Sequence, residues 1–282
     1  MRVFGVENTT LRLIRMPRAN RHFLPGFVWH LTHRCHKREF LLKFKKDRRR
    51  WRHWLYQARK RYGLCVLNYV VTSNHIHLLV LDLGHGEIAR SMQLVAGRTA
   101  QEFNRRKNRK GAFWEDRYFA TAVQCDSHLA RCLVYIDLNM VRAGVVQHPA
   151  EWKHGGFREI QAPPERYRLI DLDRLASLLG FPDVRHLQSA HRQWLEESLP
   201  TVGTKRDAKW TEAIAVGQED FLEDVQSALA RRCPGRRVLG KEGTYWLGEP
   251  ATPYGPIIGA EKTPVSEKFP WADGEKRCGS ID

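Results

Sequence analysis

Residues 64–71 (LCVLNYVV) and 75–81 (HIHLLVL) are two apolar runs parted only by Thr72-Ser73-Asn74. Short runs rich in Val and Leu with so tight a connection read as two strands of one hairpin, buried for most of their length. What surrounds the hairpin decides the fold. Residues 27–34 (FVWHLTHR) follow the turn signal Pro25-Gly26 and mix aromatic and β-branched residues with alternation, so they read as an earlier strand. From Phe44, the residues Phe44, Trp51, Trp54, Leu55, Ala58 and Tyr62 recur at helical spacing, with Asp47 in the first turn and Gly63 as a stop. After the hairpin, Ile88, Met92, Val95, Thr99 and Phe103 mark the buried face of a second helix, which runs into the basic loop Arg105-Arg106-Lys107-Asn108-Arg109-Lys110-Gly111. Residues 113–123 (FWEDRYFATAV) read as a further strand, and Asp126 or Ser127 caps a third helix reaching Gly144.

Strand, helix, strand, strand, helix, strand, helix is the order of an α+β, ferredoxin-like split βαβ plan with an antiparallel sheet and one added helix. Such folds host many chemistries, so function has to be argued from particular residues.

Charge is distributed unevenly. Residues 1–160 hold 30 of the 47 Lys+Arg and 12 of the 31 Asp+Glu, about +18, which leaves about −2 for residues 161–282. A basic half interleaved with Trp, Tyr and Phe suits a polyanion whose counterions are released on binding. The first helix turns Lys45, Lys46, Arg48, Arg49, Arg52 and Arg59 away from its apolar stripe. No apolar run is long enough for a membrane span or a secretory signal, so a cytoplasmic, nucleoid-associated protein with no membrane partner is expected. The 6 cysteines form no C-x-x-C pair, which argues for reduced thiols.

Within the second hairpin strand, His75 and His77 stand one residue apart and project from the same face, while Ile76, Leu78 and Val80 face the other way. Two imidazoles so placed can grip one metal ion, although a hydrogen-bonded core pair has the same spacing. The third helix adds a second cluster. Leu129, Cys132, Leu133, Ile136 and Met140 form its apolar stripe, leaving His128, Arg131, Tyr135, Asn139 and Arg142 on a polar one. A phenol is a poor nucleophile unless cations and a metal-activated electrophile accompany it. Arg131 and Arg142 would supply the cations. A divalent ion on His75, His77 and the Asn139 carboxamide would polarise a phosphodiester for attack by Tyr135.

NHIH (residues 74–77) followed by YIDLNMVRAG (residues 135–144), with FWEDRYFATAV upstream, resembles the HUH single-tyrosine transposases, most closely the REP-associated tyrosine transposases and their insertion-sequence relatives. The likeness spans residues 16–160. It implies that His75 and His77 are the metal pair, that Tyr135 is the nucleophile and that Asn139 is the third ligand, where insertion-sequence members have Gln. It further implies an Mg2+- or Mn2+-dependent single-strand endonuclease and strand transferase, acting on single-stranded or hairpin DNA near palindromic repeats through a 5′-phosphotyrosine. Met140 stands where relatives commonly have Pro. The alternatives are a non-catalytic binder of structured single-stranded nucleic acid, or an initiator of replication or conjugation using the same chemistry. Whether the protein is a monomer or a homodimer is left open.

On that reading Arg34, Arg48, Arg49, Arg52, Arg105, Arg106, Lys107, Arg109, Lys110, Arg131 and Arg142 contact nucleic acid. Tyr118, a strand aromatic beside Phe119, is read as packing or base stacking, and His30, His33 and His36 as structural or DNA contacts. Residues 161–232 show helical patterns at 168–200 and 210–232 and are expected to form a small helical C-terminal appendage. Residues 233–282 are expected to be irregular and partly disordered, and residues 1–15 to be a flexible arm or a misplaced start.

Overall fold

The computed structural model describes residues 23–125, 127–204, 206–230, 237–241 and 244–248. The flexible arm expected at 1–15, the Asp126 cap and the tail beyond residue 248 lie outside them.

Strands β1 (Val28–Arg34), β2 (Cys65–Val71), β3 (His75–Leu81) and β4 (Phe119–Val123) lie in the order β2-β3-β1-β4, every neighbour antiparallel. Between them run helices α1 (Lys45–Tyr62) and α2 (Glu87–Lys107). This is the expected split βαβ arrangement. All seven residues of β2 and six of the seven of β3 are buried, which is why both strands read as nearly continuous apolar runs. α1 stops at Gly63, whose φ of 71° is the left-handed geometry that a Cβ disfavours. β4 is shorter than the sequence suggests. Phe113 and Trp114 precede it in a loop whose one ladder contact is the bridge from Trp114 to Cys35.

α1 and α2 cover the sheet face bearing His33, Tyr69 and Leu78. The Trp114 indole stacks on His33 (4.1 Å) and donates to the Ala96 carbonyl of α2 (3.1 Å), while Arg52 of α1 lies over the Tyr69 ring. The opposite face is covered by α3 (Ser127–Asp137), which passes through Leu138 (φ −75°, ψ 2°) into the short α4 (Asn139–Arg142). The expected single helix is thus broken once, immediately before Asn139.

The second half is helical as expected, with α5 (Phe157–Gln161), α6 (Leu172–Leu178), α7 (Val184–Ser198), α8 (Lys209–Glu212) and α9 (Glu219–Ala230). It also contributes strands that the sequence reading did not foresee. β5 (Ala215–Gly217) pairs in parallel with β4, and the hairpin β6 (Arg237–Lys241) and β7 (Thr244–Gly248) continues the sheet to seven strands. Residues 237–248 are therefore not irregular throughout. β5 has only three residues, and β6 (RVLGK) and β7 (TYWLG) each group their apolar residues side by side, so none shows a clean alternation. Cys35, Cys65 and Cys132 are free thiols. No described helix is long and apolar enough to cross a membrane.

Candidate active site

Strand register gathers the site. His77 pairs with Thr32 and His75 with Arg34 across the β1–β3 ladder, and Thr32 pairs with Phe119 on β4. Because side chains alternate, His75, His77, His30, Thr32, Arg34 and Phe119 share one face. Tyr135 comes down on that face from α3. Its ring centroid lies 5.8 Å from His77 and 6.1 Å from His30, both edge to face. Asn139, at the start of α4, brings its amide nitrogen to 3.1 Å from His77 Nε2. A cleft of about 670 Å³ joins His75, His77, Tyr135 and Asn139, with Arg34, Arg38, Arg117, Arg142 and Arg206 in its walls.

Charge in the cleft is arranged around a buried phenol. Arg142 lies over the Tyr135 ring, 4.4 Å from its centroid, and donates to the Tyr135 carbonyl at 3.1 Å. The Trp210 ring lies 5.9 Å from the Tyr135 ring, tilted by 33°. Burial raises the Tyr135 phenol above its ordinary value, and Arg142 and Arg206 offset only part of that rise. The histidines move the opposite way. Burial, helped by Arg34 and Arg206, pushes His75 down to about 3, and burial beside His30, His75, Arg142 and Arg206 holds His77 well below the usual range. Both imidazoles are neutral at physiological pH, the form that binds metals.

The donor set fits a divalent ion. The Asn74 amide nitrogen donates to the Arg38 carbonyl (3.2 Å), so its oxygen faces His75 Nδ1 at 2.7 Å as an acceptor. His75 must then carry its proton on Nδ1, which leaves Nε2 with a free lone pair. Asn139 turns its amide nitrogen to His77 Nε2 at 3.1 Å, so its carboxamide lies beside the two imidazoles and would present its oxygen to an ion on turning over. Among the described residues no three His, Cys, Asp or Glu side chains gather into a metal-binding group.

Of the cations expected at nucleic acid, Arg34 and Arg142 line the cleft and the others do not. Arg131 is exposed on α3 and does not flank Tyr135 from the cleft side. Arg48 needs correction. It is buried, donates to the Leu42 and Lys43 carbonyls (2.9 and 2.7 Å) and lies over Trp152, so it holds the start of α1 rather than a phosphate. Arg49, Arg52, Arg105, Arg106, Lys107, Arg109 and Lys110 lie on α1, α2 and the loop after α2, in the layer that covers the opposite sheet face. Arg106 is paired with Asp47, Arg109 with Glu39 at 3.3 Å, and Arg52 donates to the Lys153 carbonyl at 3.2 Å. Arg49, Arg105, Lys107 and Lys110 are exposed.

Tyr118 stacks with Phe23 and meets His33 edge to face, on the side away from the cleft, as packing would have it. Sequence reasoning missed Arg38, Arg117, Arg206, Thr211 and Glu212 in the cleft wall. Arg38 and its neighbour Lys37 both have positive φ (60° and 50°), a conformation no residue pattern announces. Arg206, Thr211 and Glu212 arrive from the far end of the chain. The sequence reads His30 as a structural residue or a DNA contact, and the alternation His30, Thr32, Arg34 is the available signal that it shares the site's face.

Residues 25–139 match the model of the IS200-like transposase family. A solved REP-associated tyrosine transposase bound to a REP hairpin is similar at 18% identity, over 54% of this chain and 90% of that one, with a TM-score of 0.44. No curated protein matches the chain.

Proposed function

We propose that this chain, whose residues 25–139 match the model of the IS200-like transposase family, is a tyrosine transposase that cleaves and rejoins single-stranded DNA beside hairpins of palindromic repeats. One observation carries the reading: Tyr135, His75, His77 and Asn139 of a single chain open onto one arginine-walled cleft. In the cleavage step the Tyr135 oxygen attacks phosphorus, the Oη–P bond forms, and the P–O3′ bond breaks. A protonated 3′ hydroxyl leaves and the 5′ phosphate stays on the tyrosine. Attack by another 3′ hydroxyl reverses the step and rejoins the strand. Arg142 lowers the cost of the phenolate, and Arg34, Arg38, Arg117 and Arg206 hold the phosphates on either side of the scissile one. His75, His77 and Asn139 would hold an Mg2+ or Mn2+ ion, which would supply Lewis-acid polarisation of the phosphodiester when bound. The catalytic domain is residues 16–160, and the remainder braces it.

The test mixes the protein with Mg2+ and labelled hairpin DNA from beside its own gene. A protein–DNA adduct that survives denaturant, and is lost in Tyr135→Phe and His77→Ala, is the expected result. An adduct undiminished in Tyr135→Phe removes Tyr135 from its role. Tight hairpin binding with no adduct under any divalent ion leaves a non-catalytic binder.

A further inference from the structure

His30 lies directly behind His77. Its Nε2 is 2.9 Å from His77 Nδ1, its Nδ1 is 2.7 Å from the Trp210 carbonyl oxygen, and the two imidazole planes lie within 12° of parallel. All three residues are buried. The direction of this row is fixed from its two ends. A carbonyl oxygen only accepts, so His30 keeps a proton on Nδ1. At the other end Asn139 turns its amide nitrogen, which can only donate, to His77 Nε2, so that nitrogen carries no proton. His77 therefore donates from Nδ1, and His30 Nε2 accepts.

We infer that His30 is a positioning residue for the metal site: it holds His77 as the Nδ1–H tautomer, with the Nε2 lone pair turned into the cleft. The inference rests on the reading of His77 as a metal ligand. A free imidazole favours the opposite tautomer, which would put a proton where the ion has to bind. His75 reaches the same tautomer by another route, through Asn74 and the Arg38 carbonyl. The two ligands are thus each oriented by an acceptor that a backbone carbonyl anchors. The anchor for His77 is 180 positions from His30 and lies beyond the transposase-like residues 25–139. Trp210 in α8 thereby gives the C-terminal half a part in metal binding that the matched domain does not contain.

The first measurement needs no variant and no metal. Long-range 1H–15N correlation spectra of the metal-free full chain, labelled on histidine, report which nitrogen of His77 is protonated, and Nδ1 is expected. Free Mn2+ is then counted by electron paramagnetic resonance during titration of wild type, His30→Leu and His30→Gln. His30→Leu is expected to weaken Mn2+ binding about 10–100-fold and to move the His77 proton to Nε2. His30→Gln, which keeps an acceptor for His77 and a donor for Trp210, is expected to recover most of the affinity. A His77 proton on Nε2 in the wild type overturns the inference, as does wild-type Mn2+ affinity in His30→Leu. If both variants fail to fold, the wild-type tautomer decides alone. Correct tautomer and Mn2+ behaviour without a Tyr135 adduct would defeat the cleavage reading and leave this one standing.

Discussion

At the scale of residues, the proposed reaction makes its heaviest demand on Tyr135. Tyr135 is only 6% exposed, and burial raises its phenol despite the guanidinium over its ring. At neutral pH the reactive phenolate is therefore a small fraction that grows as pH rises toward the raised value. The rate of adduct formation is expected to climb with pH from about 7 to about 9, with a slope approaching one log unit per pH unit. Arg142→Gln removes the nearest cation. It should slow the adduct by roughly tenfold, about one pKa unit, and move the rise toward alkaline pH; rates measured at fixed pH across that window check both. A rate independent of pH would mean that the phenol proton is already gone before the step that limits the reaction. His75, His77, Tyr135 and Asn139 were legible in the sequence because each pair is local, one step along a strand or one turn along a helix. His30, Arg38 and Arg206 were not, since register, backbone strain and distant chain segments place them.

At the scale of elements, the helix carrying Tyr135 is pinned from behind. On α3, Asp137 accepts from the Asn68 amide of β2 (3.2 Å) and from His191 Nε2 of α7 (2.8 Å), and the Gln161 amide nitrogen lies 3.0 Å from the other His191 nitrogen. Asp137 and His191 are almost fully enclosed. A carboxylate so deep is tolerated only while its partners hold it. His191→Ala should cost roughly 3–5 kcal/mol of stability, read as a lower denaturant midpoint, because it leaves the charge short of a donor. An unchanged midpoint would show that Asp137 has other support. Gly156 belongs to the same joint, since a Cβ there would collide with the Asn68 carboxamide. This joint also explains where periodicity misled. α3 was read as a helix with one apolar and one polar stripe, yet His128, Tyr135 and Asp137 are all buried on it. The apolar stripe of Leu129, Cys132, Leu133 and Ile136 is buried as expected. What the pattern could not show is that α7 meets Asp137 and Trp210 of α8 meets Tyr135, so these polar residues are interior groups while Arg131 alone of the expected stripe on α3 stays exposed.

At the scale of the whole molecule, the four-stranded sheet of the split βαβ plan does not end at β4. Ala122 and Val123 pair with Ala215 and Val216 of β5, and β7 and β6 extend the sheet beyond it. A β4 edge left open would present unpaired N–H and C=O groups beside buried Ala120, Ala122 and Val123. The same C-terminal half brings His191 to Asp137, Trp210 to His30 and Arg206 to the cleft. The sequence divided the chain by charge and pattern at about residue 160, and physically the two parts share one sheet and one site. A chain ended after residue 160 loses the cover of β4, a partner of the buried Asp137 carboxylate and the carbonyl behind His30 at once. Each loss alone is worth a few kcal/mol, against a typical total stability of about 5–15 kcal/mol. The shortened chain is therefore expected to be without a cooperative unfolding transition and to elute from size exclusion as aggregate, with no measurable Mn2+ affinity. A soluble monomer of residues 16–160 that unfolds cooperatively and binds Mn2+ as the full chain does would show that the transposase-like half stands alone, with β5, α7 and α8 as additions to a finished domain.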